Sequence, residues 1–159
     1  MGVSELPTAH TNCATNRRVS LPYQRLAGTM KKVFVNGTFD ILHVGHIALL
    51  DYAKSLGDQL VVGIDSDDRV RLLKGSNRPI NSQLERGTLL SALKSVDEVF
   101  VFDTDDELRS LIQACDIMVK GSDYQDKHIV GADVCKEIIF FERLNGYSTT
   151  EKIQHIVNR

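Results

Sequence analysis

The 159-residue chain has little net charge, no apolar run of membrane-spanning length, no internal repeat and no cysteine pair at metal-binding spacing. Each absence excludes something. Nineteen Lys and Arg against 21 Asp and Glu give a formal net charge of −2, so electrostatics supplies no footing for nucleic acid or an anionic membrane surface. No segment approaches the roughly 20 apolar residues that a bilayer-crossing helix needs. Three cysteines (Cys13, Cys115 and Cys135) are an odd set without C-x-x-C spacing, which predicts a reduced compartment and hence a soluble cytoplasmic protein. Cys115 and Cys135 stand in apolar surroundings and are expected to be buried packing residues.

Residues 1–30 show no hydrophobic periodicity and are expected to form a disordered tail or leader. Arg17, Arg18 and Arg25 against Glu5 raise the question of a targeting peptide, but the amphipathic helical pattern is missing. Leu6 stands where a myristoylation signal requires Ser or Thr. Residues 31–159 are enough for one domain with a real core. Within them, β-type apolar runs at 32–36, 59–64, 98–102, 116–120 and 137–141 alternate with helical patterns. The helical patterns fall at 45–56, 66–73, 82–95, 105–114, 129–136 and 148–158. Short continuous apolar strands separated by helices predict an α/β fold: a doubly wound, Rossmann-like, five-stranded parallel sheet with helices on both faces. Ligands in such folds bind beyond the carboxyl ends of the strands, where the strand order reverses.

Against that background the run Asn36-Gly-Thr-Phe-Asp-Ile-Leu-His-Val-Gly-His46 carries the most chemistry. It joins the first predicted strand to the first predicted helix. Gly37 and Thr38 are small enough for a tight turn close to a ligand. His43 and His46, three apart, fall on one face of the first helical turn, and Gly45 keeps the space between them clear. The helix N-terminus adds unpaired N–H groups and the positive end of the dipole. Together these features describe a phosphate site with two imidazole donors. A zinc site is disfavoured, because the usual helical His pair is spaced by four and brings a Glu.

Further phosphate-directed segments follow later strands. Lys74-Gly-Ser-Asn-Arg78-Pro79 is a loop with two cations able to meet anionic oxygens. Glu85-Arg86, on the next helix, reads as a surface salt bridge. Lys120, in Lys120-Gly-Ser-Asp-Tyr124, sits at a strand terminus where it could neutralise a phosphate. Gly146-Tyr-Ser-Thr-Thr-Glu151 begins the last helix; Ser148 and Glu151 have capping-box spacing, and Thr149 and Thr150 would add a second anion site beside Arg143.

The Gly37-Thr-Phe-Asp40 turn followed by His43-x-x-His46 resembles the cytidylyltransferase-like nucleotidyltransferase superfamily, and the resemblance extends over residues 31–157. Lys74-Gly-x-x-Arg78-Pro79 and Val119-Lys-Gly-Ser-Asp-Tyr124 look like the adenylyltransferase domain of ADP-heptose synthase. Thr38 and the run Arg143-Leu-Asn-Gly-Tyr-Ser-Thr-Thr150 resemble glycerol-3-phosphate cytidylyltransferase. The resemblance implies transfer of a nucleoside monophosphate from a nucleoside triphosphate to a sugar or polyol phosphate, with release of pyrophosphate. ATP with heptose 1-phosphate is the first expectation and CTP with glycerol 3-phosphate the alternative. A flavin or coenzyme-precursor adenylyltransferase and a non-catalytic nucleotide-binding regulatory module remain as other readings. The roles implied are His43 and His46, with Lys74 and Lys120, at the reacting phosphates. Asn36, Gly37, Thr38, Phe39, Gly45, Arg143, Ser148, Thr149 and Thr150 would hold the nucleotide, and Arg78 with Asp40 the acceptor or phosphate side. Asp40 is expected to order the turn through backbone N–H groups rather than bind metal. Mg²⁺ is expected on the triphosphate, and a homodimer is implied.

Overall fold

A computed structural model describes residues 30–144 and 146–158. The expected tail, and Cys13 with it, lies outside the described residues. Five parallel strands form one sheet in the order β3-β2-β1-β4-β5: β1 (Lys32–Gly37), β2 (Gln59–Asp65), β3 (Glu98–Phe102), β4 (Ile117–Gly121) and β5 (Glu137–Phe141). Five helices connect or follow them: α1 (Val44–Ser55), α2 (Asp67–Lys74), α3 (Gln83–Ser91), α4 (Asp105–Gln113) and α5 (Thr149–Val157). The expected α/β doubly wound architecture is therefore the observed one.

Alternation along β1 explains the layering. Val33 and Val35 face one side, where they pack with Leu50 and Ala53 of α1 and Leu90 of α3. Phe34 faces the other side, with Val61, Met118 and Leu108 and Ile112 of α4. Both sides of the central strand are apolar because both are covered. The edge strand β3 is less protected, and Phe100 and Val101 stay partly exposed despite their apolar run.

The chain leaves β1 toward β2 through α1, then returns after β3 through α4 to place β4 on the opposite flank of β1. Strand order thus reverses between β1 and β4. Their pairing ends at Val35↔Val119, whereas β1 stays paired with β2 through Asn36↔Gly63 and Gly37↔Ile64. The crevice therefore opens at Asn36 and Gly37, the start of the histidine-bearing motif.

Two sequence expectations are corrected. Residues 129–136 form turns, not a helix. Gly131 has φ +82°, and a Cβ there would meet Ile112 Cδ1 at 2.5 Å, so the segment bends to pack against α4. Asp133 holds it with a two-point ion pair to Arg109, at 2.6 and 2.7 Å. Cys115 is buried as expected, but Cys135, within this segment, is only partly so. The second correction concerns Arg86, which is no surface residue. It is fully buried, and its guanidinium donates to Thr38 O (2.7 Å), Asp65 O (2.8 Å), Asn81 O (3.1 Å) and Asp67 Oδ1 (2.8 Å). Glu85 instead closes a capping box with Ser82 at the start of α3.

Candidate active site

One cleft at the carboxyl end of the sheet, with a volume of about 260 Å³, is lined by all fifteen residues singled out in the sequence. They arrive from four segments far apart in the chain: the β1–α1 turn, the end of α2 with its following loop, the end of β4, and the β5–α5 connection.

The β1–α1 turn is strained. Phe39 has φ +49°, a left-handed conformation that is costly for a bulky residue. Its ring is buried and lies 5.1 Å from that of His46. A Cβ on Gly37 would come within 3.2 Å of the Phe39 ring, so the glycine leaves room for the folded-back aromatic. His43 is the N-cap residue of α1, and its ring stacks on His46 with centroids 3.7 Å apart and planes at 19°. A Cβ on Gly45 would sit 3.0 Å from His43 Cε1 and 3.2 Å from Tyr147 Cβ, which explains the glycine between the two histidines.

Both imidazoles are held toward the neutral form. Burial, then His43, Arg143 and Lys74, push His46 down to about 4. Burial, with Lys152 and Arg143, lowers His43. The Nδ1 atoms of both rings are buried without a hydrogen-bond partner. Buried polar atoms normally find partners, so two orphans in stacked rings are an unusual feature of the cleft.

Cations surround the pair in different states of commitment. Lys120 is buried and donates to Asn36 Oδ1 at 2.7 Å; desolvation pushes its ammonium down to about 8, against the opposing pull of Asp65 and Asp123. Lys74 is lowered by desolvation and by Arg78, with Asp65 and Asp40 opposing. Arg78 donates Nε to Asp40 Oδ2 at 2.9 Å. Asp40 also accepts from the N–H groups of Ile80 and Asn81 at 2.8–2.9 Å, so it orders the 78–81 loop across the cleft instead of its own turn. Arg143 pairs with Asp123 at 3.4 Å.

Two helix N-termini converge on this space: α1, through His43 and Gly45, and α5, through Ser148, Thr149 and Thr150. Only the Ser148 half of the expected capping box is formed, with Ser148 Oγ accepting from Glu151 N at 3.5 Å. Thr149 Oγ1 donates to Ile41 O at 3.4 Å and ties α5 to the first turn. Both dipoles point positive ends into the cleft, an arrangement suited to a polyanion.

Sequence reasoning missed Arg86, Tyr147 and the apolar wall of Leu49, Phe141 and Leu144. Arg86 had no local signal, because its carbonyl partners come from the β1–α1 turn, the end of β2 and the 78–81 loop. Among the described residues no group of three or more His, Cys, Asp or Glu side chains could hold a metal ion, and no helix is long and apolar enough to cross a membrane.

Comparison with known proteins agrees with this geometry. The cytidylyltransferase-like family profile matches residues 34–155. The bifunctional protein HldE of a Nitratiruptor species is 48% identical over 126 residues, covering 78% of this chain and 27% of that protein. HldE of Campylobacter jejuni is 47% identical over 131 residues (81% of this chain, 28% of that protein), and HldE of Wolinella succinogenes 51% over 128 residues (79% and 27%). The chain thus spans less than a third of the length of these curated relatives. A crystal structure of the lipopolysaccharide core biosynthesis protein from Thermoplasma volcanium superposes with a TM-score of 0.63 at 30% identity, covering 74% of this chain and all of that one. On its matched profile, its relatives and a cleft built on the Gly-Thr-Phe-Asp turn and the paired histidines, the chain belongs to the cytidylyltransferase-like family of nucleotidyltransferases.

Proposed function

We propose that this chain transfers AMP from ATP to a heptose 1-phosphate, giving ADP-heptose and pyrophosphate. The observation that carries the reading is the stacked pair His43 and His46, neutral, with orphaned Nδ1 atoms, at the meeting point of two helix N-termini. The sugar acceptor is supported by the Lys74–Pro79 and Val119–Tyr124 resemblance and by the lipopolysaccharide core biosynthesis role in the name of the Thermoplasma protein.

An acceptor phosphate oxygen attacks the α-phosphorus in line. The new O–P bond forms as the bond to the β-phosphate oxygen breaks, and pyrophosphate leaves. The acceptor is already ionised near neutral pH, so no strong general base is needed. Catalysis rests on alignment and on donors preorganised for the charge that builds on the phosphoryl oxygens. His43 and His46, each with one N–H in the neutral ring, donate to the reacting phosphates beside the Thr38 and Phe39 amides. Gly37 and Gly45 keep that approach open, and Asn36 holds Lys120 at the crevice. Lys74, Lys120 and Arg78 steady the acceptor or the leaving pyrophosphate. Arg143 and Ser148 to Thr150 grip the β- and γ-phosphates. Asp40 is saturated by Arg78 and two backbone N–H groups, so its carboxylate offers no open ligand position, and Mg²⁺ enters as part of the nucleotide substrate.

A second reading, CTP with glycerol 3-phosphate, is favoured by Thr38 and by Arg143 beside the Ser148–Thr150 helix start. Pyrophosphate release from ATP and from CTP in Mg²⁺, each with heptose 1-phosphate and with glycerol 3-phosphate, separates the two. Turnover only with ATP and the heptose supports the first; turnover only with CTP and glycerol phosphate replaces it with the second. Silence in all four combinations rejects both acceptors.

A further inference from the structure

Cys115 and Cys135 take no part in the cleft, yet the fold brings them to one level of the sheet. Ile117 and Glu137 are the first registered pair of β4 and β5. One step back, Asp116 and Lys136 are joined by an ion pair at 2.7 Å, which keeps the two chains abreast. A second step back reaches Cys115 and Cys135. Positions abreast on neighbouring strands lie about 5 Å apart, inside the Cα separation that a disulfide spans. Both side chains also belong to one layer. Cys115 is a buried member of the apolar cluster that α4 covers, and Cys135 packs against that cluster. A shared neighbour fixes the approach. Cys115 N–H donates to Ile112 O and Cys135 N–H to Gly131 O, each at 3.0 Å. Gly131 is the residue that sits against Ile112, and the Arg109–Asp133 ion pair fastens the same turn to α4. The segment bearing Cys135 is thus pinned at two points to the helix that runs into Cys115.

The two thiols are not alike. Cys115 is 3% exposed, and burial pushes its thiol up to about 11, so it stays protonated at neutral pH. Cys135 lies close enough for its charge to be one of the lesser contributions to that rise. Cys135 itself is partly exposed, and its Sγ donates to Glu137 O at 3.0 Å. We propose that Cys115 and Cys135 form a reversible disulfide when the chain meets a hydroperoxide, with Cys135 reacting first and Cys115 resolving it. The Cys135 thiolate attacks one peroxide oxygen and the O–O bond breaks, which leaves a sulfenic acid and water once the released thiol proton is counted. The Cys115 sulfur then attacks the Cys135 sulfur. The S–S bond forms as the S–O bond breaks, and the Cys115 proton leaves with the hydroxide as water. Two thiols and one peroxide thus give one disulfide and two waters, the sulfurs oxidised and the peroxide oxygens reduced. In a reducing compartment the pair rests as thiols, and a disulfide formed there is transient and redox-sensing. The bond closes the segment 116–134, which carries Lys120, at the end of the strands away from the cleft. Nothing in this step depends on nucleotide binding or turnover.

The test uses the full chain with Cys13→Ser, which leaves these two thiols alone. Folded protein is treated with hydrogen peroxide, quenched with catalase and blocked with N-ethylmaleimide, then weighed intact and mapped by proteolysis without reductant. The expected product is a monomer lighter by about 2 Da that carries no maleimide, with the Cys115 and Cys135 peptides joined. Dithiothreitol should restore both thiols. In the same background, Cys115→Ala should leave Cys135 stopped at an oxygen adduct or joined to a second chain. Cys135→Ser should leave Cys115 reduced at the same dose. The proposal is overturned if the folded protein gains oxygen with no internal link, if it links only to a second chain, or if neither thiol reacts. A link that forms only in denaturant overturns it too. Oxidation of Cys115 in Cys135→Ser as fast as in the protein with both thiols overturns the order of attack. The linkage map of that protein decides the case even where a variant fails to fold.

Discussion

The two walls of the cleft are each built around an arginine–aspartate pair, and the pairs are unlike in every physical respect. Asp40 and Arg78 are 1% and 16% exposed, 2.9 Å apart, and share the carboxylate with two backbone N–H groups. Asp123 and Arg143 are 37% and 54% exposed, 3.4 Å apart, and share nothing further. Breaking the first would strand charge and backbone donors in a dry interior; parting the second returns two side chains to water. One wall is therefore a fixed frame in which the 78–81 loop is tied to Asp40, and the other is an exposed face whose ion pair parts at little cost. The same residue types thus serve architecture or exchange according to burial.

The largest expected effect breaks the fixed wall. Asp40→Ala should lower the unfolding free energy by about 3–5 kcal/mol, read from denaturant midpoints, because Arg78 and the amides of Ile80 and Asn81 lose their acceptor. A change under about 1 kcal/mol would put the two walls in the same class. His46→Ala should lower turnover roughly 10²–10³-fold in a variant that keeps its fold. A turnover loss below about fivefold in a folded variant rejects its catalytic role.

Arg143→Ala probes the exchangeable wall. It should raise the KM for the nucleoside triphosphate about tenfold or more, the scale of a charge-assisted contact, with the acceptor KM little changed and stability altered by less than about 1 kcal/mol. Equal shifts in both Michaelis constants contradict the assignment. A last effect is one of pH. His46 titrates near 4 in the folded chain and at about 6.5 unfolded, so between those values the unfolded chain binds the extra proton. Its contribution to stability is complete above about 6.5 and is lost as pH falls toward 4. Imidazole proton shifts followed by NMR should locate that titration, and added triphosphate should move it upward. An unshifted midpoint near 6.5 removes the neutral-pair argument.

Much of this was legible in the chain. The strand boundaries agree within a residue or two, because continuous apolar runs are what a doubly covered parallel sheet requires. The fifteen residues given site roles come together in one cleft, and they stand out in the chain because the turn after β1 and the second helix start are local patterns. Three failures share one cause. The helical pattern at 129–136 yields to Gly131, whose packing against Ile112 was invisible without α4. The first residues of that stretch looked helical only in isolation. Glu85-Arg86 read as a surface pair because Arg86 meets its carbonyl acceptors, apart from the nearby Asn81 O, on segments some 20 and 48 residues away. Asp40 was assigned to its own turn because the loop that uses it lies about 40 residues on.

The sequence by itself determined the alternation of strand and helix, the helix starts, and the residue types that can meet phosphate, since these depend on neighbours within a few positions. Tertiary structure alone decided which charges are spent. Burial commits Arg86 and Asp40 to the frame, and it holds the two histidines toward the neutral form. Exposure leaves Arg143 and Asp123 free to change partners, because desolvation depends on what packs around a group and not on what precedes it in the chain.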